Sequence, residues 1–390
     1  MAVNQVYLVP NKVIIWGADD YNPLGLFRML QAYAEIVFIR DGGAKLCASK
    51  SKYCKTLHKT SSLEDGFKCL MENYSHEQNK PILITSSDLI AEFVDQHKDQ
   101  LEQYFYITGT TEKGLLTKVL DKNLMCQIAQ RIGFDVPASI ECKWNTDISN
   151  VKYPCLLKPD KNRLDHEKEF KTKVCISQNE LEETLKSVGK DSIFVLQEYV
   201  NKEADALIYG CRTHSGEVVI AGTNVRTRWD SGGNGSFGYT TGDIPKGIKI
   251  ELIEAFLKEV DYTGLFSVEY ALTKDKAYFL EFNLRNDGTS HYFYQAGVNI
   301  PMIWILDTLG MDYSKFPLRV NGQKVFMAVY DDFSNVREGK LTYKEWRKNK
   351  KEAEIFRYYD KNDKKPYYYN IFVNALRPVR NAMLKALGKR

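Results

Sequence analysis

The segment GLFSVEYALTKDKAYFLEFNLRNDG, residues 264–288, holds the side chains best spaced for chemistry, as two strand-like runs that flank the polar turn TKDK. A three-residue loop between them sets a register in which Glu269 opposes Glu281, and Asn283, two residues on, lies on the same face. Two carboxylates and an amide oxygen then converge. Carboxylates side by side repel unless something neutralises them, and a hard divalent cation with oxygen ligands does so. Mg²⁺, with Mn²⁺ as the alternative ion, suits a site of few protein groups whose remaining positions are filled by phosphates. The same pattern also fits a hairpin with outward-facing Glu residues. Against that, Phe279, Leu280 and Phe282 make both faces of the second strand apolar or metal-facing.

Upstream, YPCLLKPD ends an apolar run in Lys158 just before a proline. The run VLQEYV leads to Gln197 and Glu198, followed by Tyr199 and Val200, which would present backbone groups and an acceptor to a flat base. Each alone reads equally well as a solvated strand end.

The order joins them. DK at 121–122, LLKP at 156–159, KV at 173–174, QEYV at 197–200, VE at 268–269 and EFNLR at 281–285 resembles the ATP-grasp superfamily over residues 115–310. The branch it looks most like is that of the carboxylate–amine ligases, which includes D-aspartate ligase and bacterial cell-surface enzymes; biotin carboxylase and carbamoyl phosphate synthetase are more distant relatives. The arginine pair and glycine-rich run of GTNVRTRWDSGGNGSFGYTT carry that branch resemblance. What the resemblance implies is ATP held by Lys122, Lys158 and Lys173, adenine by Gln197, Glu198, Tyr199 and Val200, and ribose by Glu203 or Asp205. It implies Mg²⁺ on Glu269, Glu281 and Asn283, and Arg285 stabilising a reacting acyl phosphate. Arg226 and Arg228 are candidates for phosphate or substrate carboxylate, which a guanidinium grips in bidentate fashion. The loop after Lys158, DKNRLDHEKEFKTKV, lacks the glycines many members carry, so Arg163, His166 or Lys171 would supply charge there in place of backbone amides.

The expected chemistry follows from the weakness of a carboxylate as an electrophile. Phosphoryl transfer from ATP makes an acyl phosphate, which an amine then attacks. No covalent enzyme intermediate is needed, in keeping with the lack of a convincing Ser-His-Asp or Cys-His set. Asp287, Gly288, Thr289 and Ser290 are expected to face the acceptor, and His291 reads as a pocket residue or a structural one. The expected partners are a small-molecule carboxylate and an amine, an amino acid or amino sugar in cell-envelope or surface-polysaccharide synthesis, with a lipid-linked acceptor and a homodimer as further expectations. The rivals are a carbamoyl-phosphate-synthetase-like enzyme, disfavoured because a second ATP module is missing from 390 residues, and a non-catalytic nucleotide-binding scaffold, which has no physical need for converging acids.

These groups must be positioned by a folded chain. Its 44% hydrophobic and 12% aromatic residues suffice for real cores. The expected class is α/β (α+β): an N-terminal doubly wound domain at 1–115, an ATP-grasp domain at 116–310 with subdomains at 120–200 and 201–310, and a C-terminal extension at 311–390. KVIIWGADD, EIVFIRDGG and KPILITSS alternate with helical stretches, as a parallel sheet requires. The acids after Gly17 and the missing GxGxxG argue against a dinucleotide there. From 116 a helix, LTKVLDKNLMCQIAQRIG, precedes closely spaced strands that imply a mostly antiparallel sheet.

Lys340 to Arg390 holds 15 Lys and Arg against 5 Asp and Glu, leaving the rest of the chain at −6. The tail, not the core, is basic, which disfavours nucleic acid as a partner. In IFVNALRPVRNAMLKALGKR, Phe372, Leu376, Val379, Met383 and Leu387 form one helical stripe, with Arg377, Arg380, Lys385, Lys389 and Arg390 elsewhere. Such a helix suits peripheral contact with an anionic membrane, or docking on its own core or a partner. Eight cysteines without a CxxC pair and the absence of a leader-like N-terminus lead to the expectation of a cytoplasmic protein, on the inner face of the membrane if the tail binds there.

Overall fold

The computed structural model describes residues 8–42, 47–159, 172–187 and 193–386, with the backbone alone at 159, 375 and 377–386. The first part is β1 (Val13–Gly17), α1 (Tyr21–Leu30), β2 (Ile36–Arg40), β3 (Thr56–Lys59), α2 (Leu63–Tyr74), β4 (Ile82–Thr85), α3 (Asp88–Gln96), α4 (Lys98–Leu101) and β5 (Tyr106–Ile107). The strands pair in parallel in the order β3-β2-β1-β4-β5. Alternate residues of VIIWG feed two cores: Val13 and Ile15 pack with Leu26 and Phe27 of α1, and Ile14 and Trp16 with Leu70 of α2 and Ile90 of α3. Burial on both faces is why the strand reads as an unbroken apolar run. The order reverses between β1 and β4, and such a switch point opens a crevice at the carboxyl ends of the strands. Asp20 caps α1 there, accepting from Asn22 N at 2.8 Å.

A short strand β6 (Gly109–Thr110) leads to α5 (Leu115–Val119) and α6 (Lys122–Ile132). The single helix expected over 116–133 is two, because the Asp121 carboxylate accepts from Asn123 N and Leu124 N and starts a new helix. Gly133, at φ 109°, ends it as expected. Next come β7 (Ser139–Cys142), β8 (Cys155–Pro159), β9 (Lys173–Cys175), α7 (Gln178–Ser187) and β10 (Phe194–Glu198). They form an antiparallel sheet in the order β7-β10-β8-β9, with α7 packed on the face carrying Cys155, Leu157, Cys175 and Leu196.

The third sheet is built from β11 (Ala204–Arg212), β12 (Val218–Trp229), β13 (Gly235–Thr241), then, after α8 (Ile250–Glu259), β14 (Tyr262–Leu272) and β15 (Ala277–Asn283). Helices α9 (Ser290–Gln295) and α10 (Ile300–Thr308) follow, then β16 (Gln323–Met327), α11 (Val329–Arg337), α12 (Tyr343–Glu352), β17 (Ile355–Phe356) and α13 (Lys365–Ala386). The strand order is β15-β14-β11-β12-β13-β16-β17, with β6 on β14. The segment after 310 is therefore more than an appended helical tail: β16 pairs with β13, and β17 with β16. Phe326 and Ile355 share one core with Leu207, Tyr209, Trp304 and the α1 residues Leu26 and Phe27. No helix among the described residues is long and apolar enough to cross a membrane, and all eight cysteines are free thiols.

One ion pair ties this last segment to the first domain. Arg28 Nε and Asp363 Oδ2 lie 3.2 Å apart with both side chains 1% exposed. Arg28 also donates to Tyr358 O and Asp363 O, and Asp363 accepts from Ser51 Oγ and Lys52 N. Removing one partner strands a buried charge, at about 3–5 kcal/mol. Asp363→Ala is therefore expected to lower the urea midpoint with little change in slope; an unmoved midpoint would show that the pair ties nothing down.

Candidate active site

The β14–β15 hairpin turns through Thr273–Lys276, a loop of four residues rather than three, since Leu272 pairs with Ala277. Continued evenly, that register would set Glu269 against Leu280 and turn Glu281 to the other face. A β-bulge restores the opposition: the pairing shifts between Glu269 and Tyr270, so Leu280 is the extra residue, Glu269 meets Glu281, and Ser267 meets Asn283. The two strands beyond bring Asp205, Asn224 and Arg226 to the same face, through the pairs Leu207–Glu269, Leu207–Asn224 and Asp205–Arg226.

This acidic face is ringed by cations from separate elements. Lys122, the first residue of α6, places Nζ 2.7 Å from Glu281 Oε2. Arg226 Nη1 lies 3.4 Å from Glu269 Oε1. Arg285 donates to Asn283 Oδ1 at 3.0 Å and pairs with Asp88 at 3.0 Å and Asp287 at 3.5 Å. Burial pushes the Glu269 pKa up, Arg226 opposes the shift, and Glu281, Asp287 and Asp205 add to it. Burial works the same way on Asp287, but there Arg285, Arg226 and the bonds from Thr289 prevail and hold it below the usual carboxylate range. Across the cleft Lys158 donates to Gln197 Oε1 at 2.6 Å, and burial together with the Lys122 ammonium lowers its pKa.

Two expected residues are not brought to this place. Lys173 pairs with Leu157, on the α7 side of the small sheet, and donates to Thr184 of α7 at 2.6 Å, whereas Lys158 lies on the opposite face. The cation the fold sets near Lys158 is Lys122. Arg228 is turned over by a bulge between it and Arg226, and grips the fully buried Asp332 carboxylate with Nε at 2.7 Å and Nη2 at 2.9 Å while lying over the Phe237 ring. It holds α11 to the sheet. Of the rest, Asp205 lies on the site face, gripped by Lys202 Nζ at 2.7 Å. Glu198, Tyr199 and Glu203 are exposed and Val200 is half-buried along the segment between the two sheets. Arg163, His166 and Lys171 fall outside the described residues.

Sequence reasoning missed how the first domain closes the site. Asn22 donates to Ser86 O and Asn286 O, and Asn286 returns a bond to Asn22 Oδ1. The ring of Tyr21 packs so closely on Gly288 that a Cβ there would lie 2.1 Å from it. Thus the loop 285–289 seats in the β1–β4 crevice. Among the described residues no group of three or more His, Cys, Asp or Glu is placed to hold a metal; the oxygen set here is two carboxylates and an amide.

A doubly wound domain, a small antiparallel sheet and a large one that face each other across lysines and acids make up the ATP-grasp fold. Residues 213–328 match the family model described as ATP-grasp in the biosynthetic pathway with Ter operon. The D-aspartate ligase of Enterococcus faecium (strain Aus0004) is 20% identical over 258 residues, a match that spans 61% of this chain and 61% of that enzyme. Among solved structures, the N5-carboxyaminoimidazole synthetase of Staphylococcus aureus complexed with ADP superposes with a TM-score of 0.63 at 14% identity, covering 87% of each chain. The L-amino acid ligase of Bacillus licheniformis gives 0.59 at 15%, covering 81% of this chain and 79% of that one. These likenesses show the ATP-grasp fold.

His291 is structural. It is 2% exposed beneath Gly25, and burial pushes its pKa down to about 3. Between that value and the ordinary 6.5 the unfolded chain binds a proton that the folded chain refuses. Its contribution is thus intact above pH 6.5 and lost as pH falls, at up to about 1.4 kcal/mol per unit. His291→Gln is expected to gain stability relative to the parent as pH drops from 7 to 4.5 in urea titrations; parallel curves would contradict the buried neutral state.

Proposed function

We propose that the chain is an ATP-dependent ligase that activates a carboxylate as an acyl phosphate and couples it to an amine. The observation that carries this reading is the oxygen set Glu269, Glu281 and Asn283, brought onto one face and surrounded by Lys122, Lys158, Arg226 and Arg285. The likenesses to D-aspartate ligase and L-amino acid ligase support it. The hard oxygen donors and the ammonium now neutralising Glu281 fit Mg²⁺, which would take the carboxylates and neutralise phosphate oxygens. Lys122, 61% exposed at its side chain, is then free to turn from Glu281 to a phosphate. Lys158 lies on the cleft face for the same purpose, and the Gln197–Val200 strand end and Asp205 take the base and ribose.

Arg226 and Arg285 receive the acid substrate as a bidentate anion. One of its oxygens attacks the γ-phosphorus, the bond to the β–γ bridging oxygen breaks, and ADP leaves with that electron pair. The amine nitrogen then attacks the acyl carbon, Arg285 stabilises the oxyanion, and inorganic phosphate departs as the nitrogen loses a proton. Glu281→Gln is expected to lower phosphate release from Mg-ATP about 100-fold or more, with the urea midpoint kept. Lys158→Met should weaken ATP binding about tenfold while Lys173→Met does not. Undiminished turnover in the first, or equal losses in the two lysine variants, would overturn the assignment.

In this reading the acceptor is a lipid-linked amine of surface-polysaccharide or envelope synthesis, met at a membrane surface. Tyr368, Phe372 and Leu376 recur every four residues on α13 and are 60%, 60% and 47% exposed, beside a strongly basic stretch. The full chain is expected to co-sediment with phosphatidylglycerol-containing vesicles and not with phosphatidylcholine alone, and a Tyr368→Ser/Phe372→Ser variant to lose most of that binding. Equal partitioning of variant and parent would remove the helix from the membrane reading.

A further inference from the structure

Tyr21, the first residue of α1, lies at the seam between the first domain and the candidate active site. Its ring is held by three neighbours. Gly288 packs against it, the Arg357 guanidinium stands 4.9 Å from the ring centre, and Tyr358 meets it edge-on with centroids 6.1 Å apart. The hydroxyl is left over: the side chain is half-buried, yet among the described residues no group bonds to Tyr21 Oη. A phenol oxygen in such a place usually finds a partner.

Arg226 carries a second open donor. Its Nε donates to Asn224 Oδ1 and its Nη1 to Glu269 Oε1, both at 3.4 Å, and among the described residues nothing accepts from Nη2. Tyr21 lies within electrostatic reach of Arg226, and Asp287 within reach of both. One residue steadies the pair. Arg357 lies against the Tyr21 ring and donates from Nη2 to Gly235 O at 2.6 Å, and Gly235 in turn is the floor under Arg226, where a Cβ would lie 2.3 Å from Cδ. Tyr292 and Asp331 take the other two nitrogens of Arg357, at 2.9 and 2.8 Å, so it holds this corner and contributes no open donor of its own.

The acceptors of the corner, by contrast, are occupied. Asp287 Oδ1 takes Thr289 N and Thr289 Oγ1, and its Oδ2 takes Ser267 Oγ and faces Arg285. Both oxygens of Asp205 are held by Lys202, and Asp20 is engaged in capping α1. Glu269 is turned to the metal position in the ligase reading. A substrate ammonium brought here finds no oxygen free to receive it, whereas a carboxylate finds two donors without partners. We infer that Tyr21 binds the acid substrate, its hydroxyl donating to the carboxylate oxygen beside Arg226 Nη2. The inference rests on the ligase reading and adds to it a residue of the first domain that touches substrate. Burial pushes the phenol pKa up to about 12 against the pull of Arg357, so the group stays a neutral donor near neutral pH.

Saturation-transfer NMR on the full chain, free of nucleotide and metal, tests it with succinate as probe, a carboxylate without amine or hydroxyl, and methylammonium as comparison. Tyr21→Phe removes the one atom in question and keeps the ring on Gly288 and Arg357. Since that hydroxyl bonds to nothing in the fold, the urea midpoint is expected to hold. Succinate is expected to bind and methylammonium to give no transfer. The succinate dissociation constant should rise about tenfold in Tyr21→Phe and stay within about twofold in Tyr358→Phe, the neighbouring ring. Mg-ATP affinity in Tyr21→Phe should match the parent's, which separates a lost substrate contact from a disturbed site. No transfer to succinate, an unchanged dissociation constant in Tyr21→Phe, or an equal rise in Tyr358→Phe would each overturn the inference. The readout is independent of turnover. Succinate binding that follows this pattern, together with undiminished phosphate release in Glu281→Gln, would sink the ligase reading and leave Tyr21 in a carboxylate-binding site; acid-dependent phosphate release, with succinate binding unchanged in Tyr21→Phe, would do the reverse.

Discussion

Placing several carboxylates on one partly buried sheet face is the constraint around which this molecule is arranged. Burial disfavours the charge on Glu269 and on Asp287, and the neighbouring carboxylates Glu281 and Asp205 add to the repulsion at Glu269. Cations close by offset that cost, and no single element supplies them. Lys122 comes from the start of α6, Arg226 from β12 and Arg285 from the end of the hairpin. In the reading proposed above, a face so compensated exchanges its cations for a metal ion and phosphates, the incoming groups replacing charge with charge.

The same requirement explains why three sheets pack as one body. Arg285 needs Asp88 at the head of α3, and its loop needs Asn22 and Ser86 at the switch point of the parallel sheet. Arg228 and Asp332, and then Arg28 and Asp363, fasten the segment after residue 310 to β12 and to α1. The C-terminal segment is thereby part of the shared core rather than an appendage to it.

Much of this was legible from residue order. The alternation of apolar runs and helical stretches implied the parallel domain, and the spacing of Lys158, Gln197, Glu269, Glu281 and Asn283 implied the ATP-grasp resemblance before any coordinate. What stayed hidden were the one-residue irregularities. The Leu280 bulge lets a four-residue loop give the register that three residues would have given, and the bulge after Arg226 puts two arginines two positions apart on opposite faces. Neither leaves a mark in side-chain periodicity, because a bulge resets the period it would be read from. Lys173 faces α7 for the same kind of reason: its side is set by pairing with Leu157, across a loop whose length says nothing of register. The β16 strand QKVFM, only five residues long, was too short to stand out in a charged tail, and contacts such as Asn22 with Asn286, 264 residues apart, are visible only once the chain is folded.

On the proposed reading the compensated carboxylate face is a metal-dependent nucleotide site, and isothermal titration of ATP into the full chain, with Mg²⁺ and then with EDTA, puts that to the test. One saturable site per chain is expected with Mg²⁺, and a loss of affinity of at least about tenfold without it, since nucleotide phosphates brought alone to Glu269 and Glu281 add to the repulsion. Equal affinity in EDTA, or no binding with Mg²⁺ present, would contradict it.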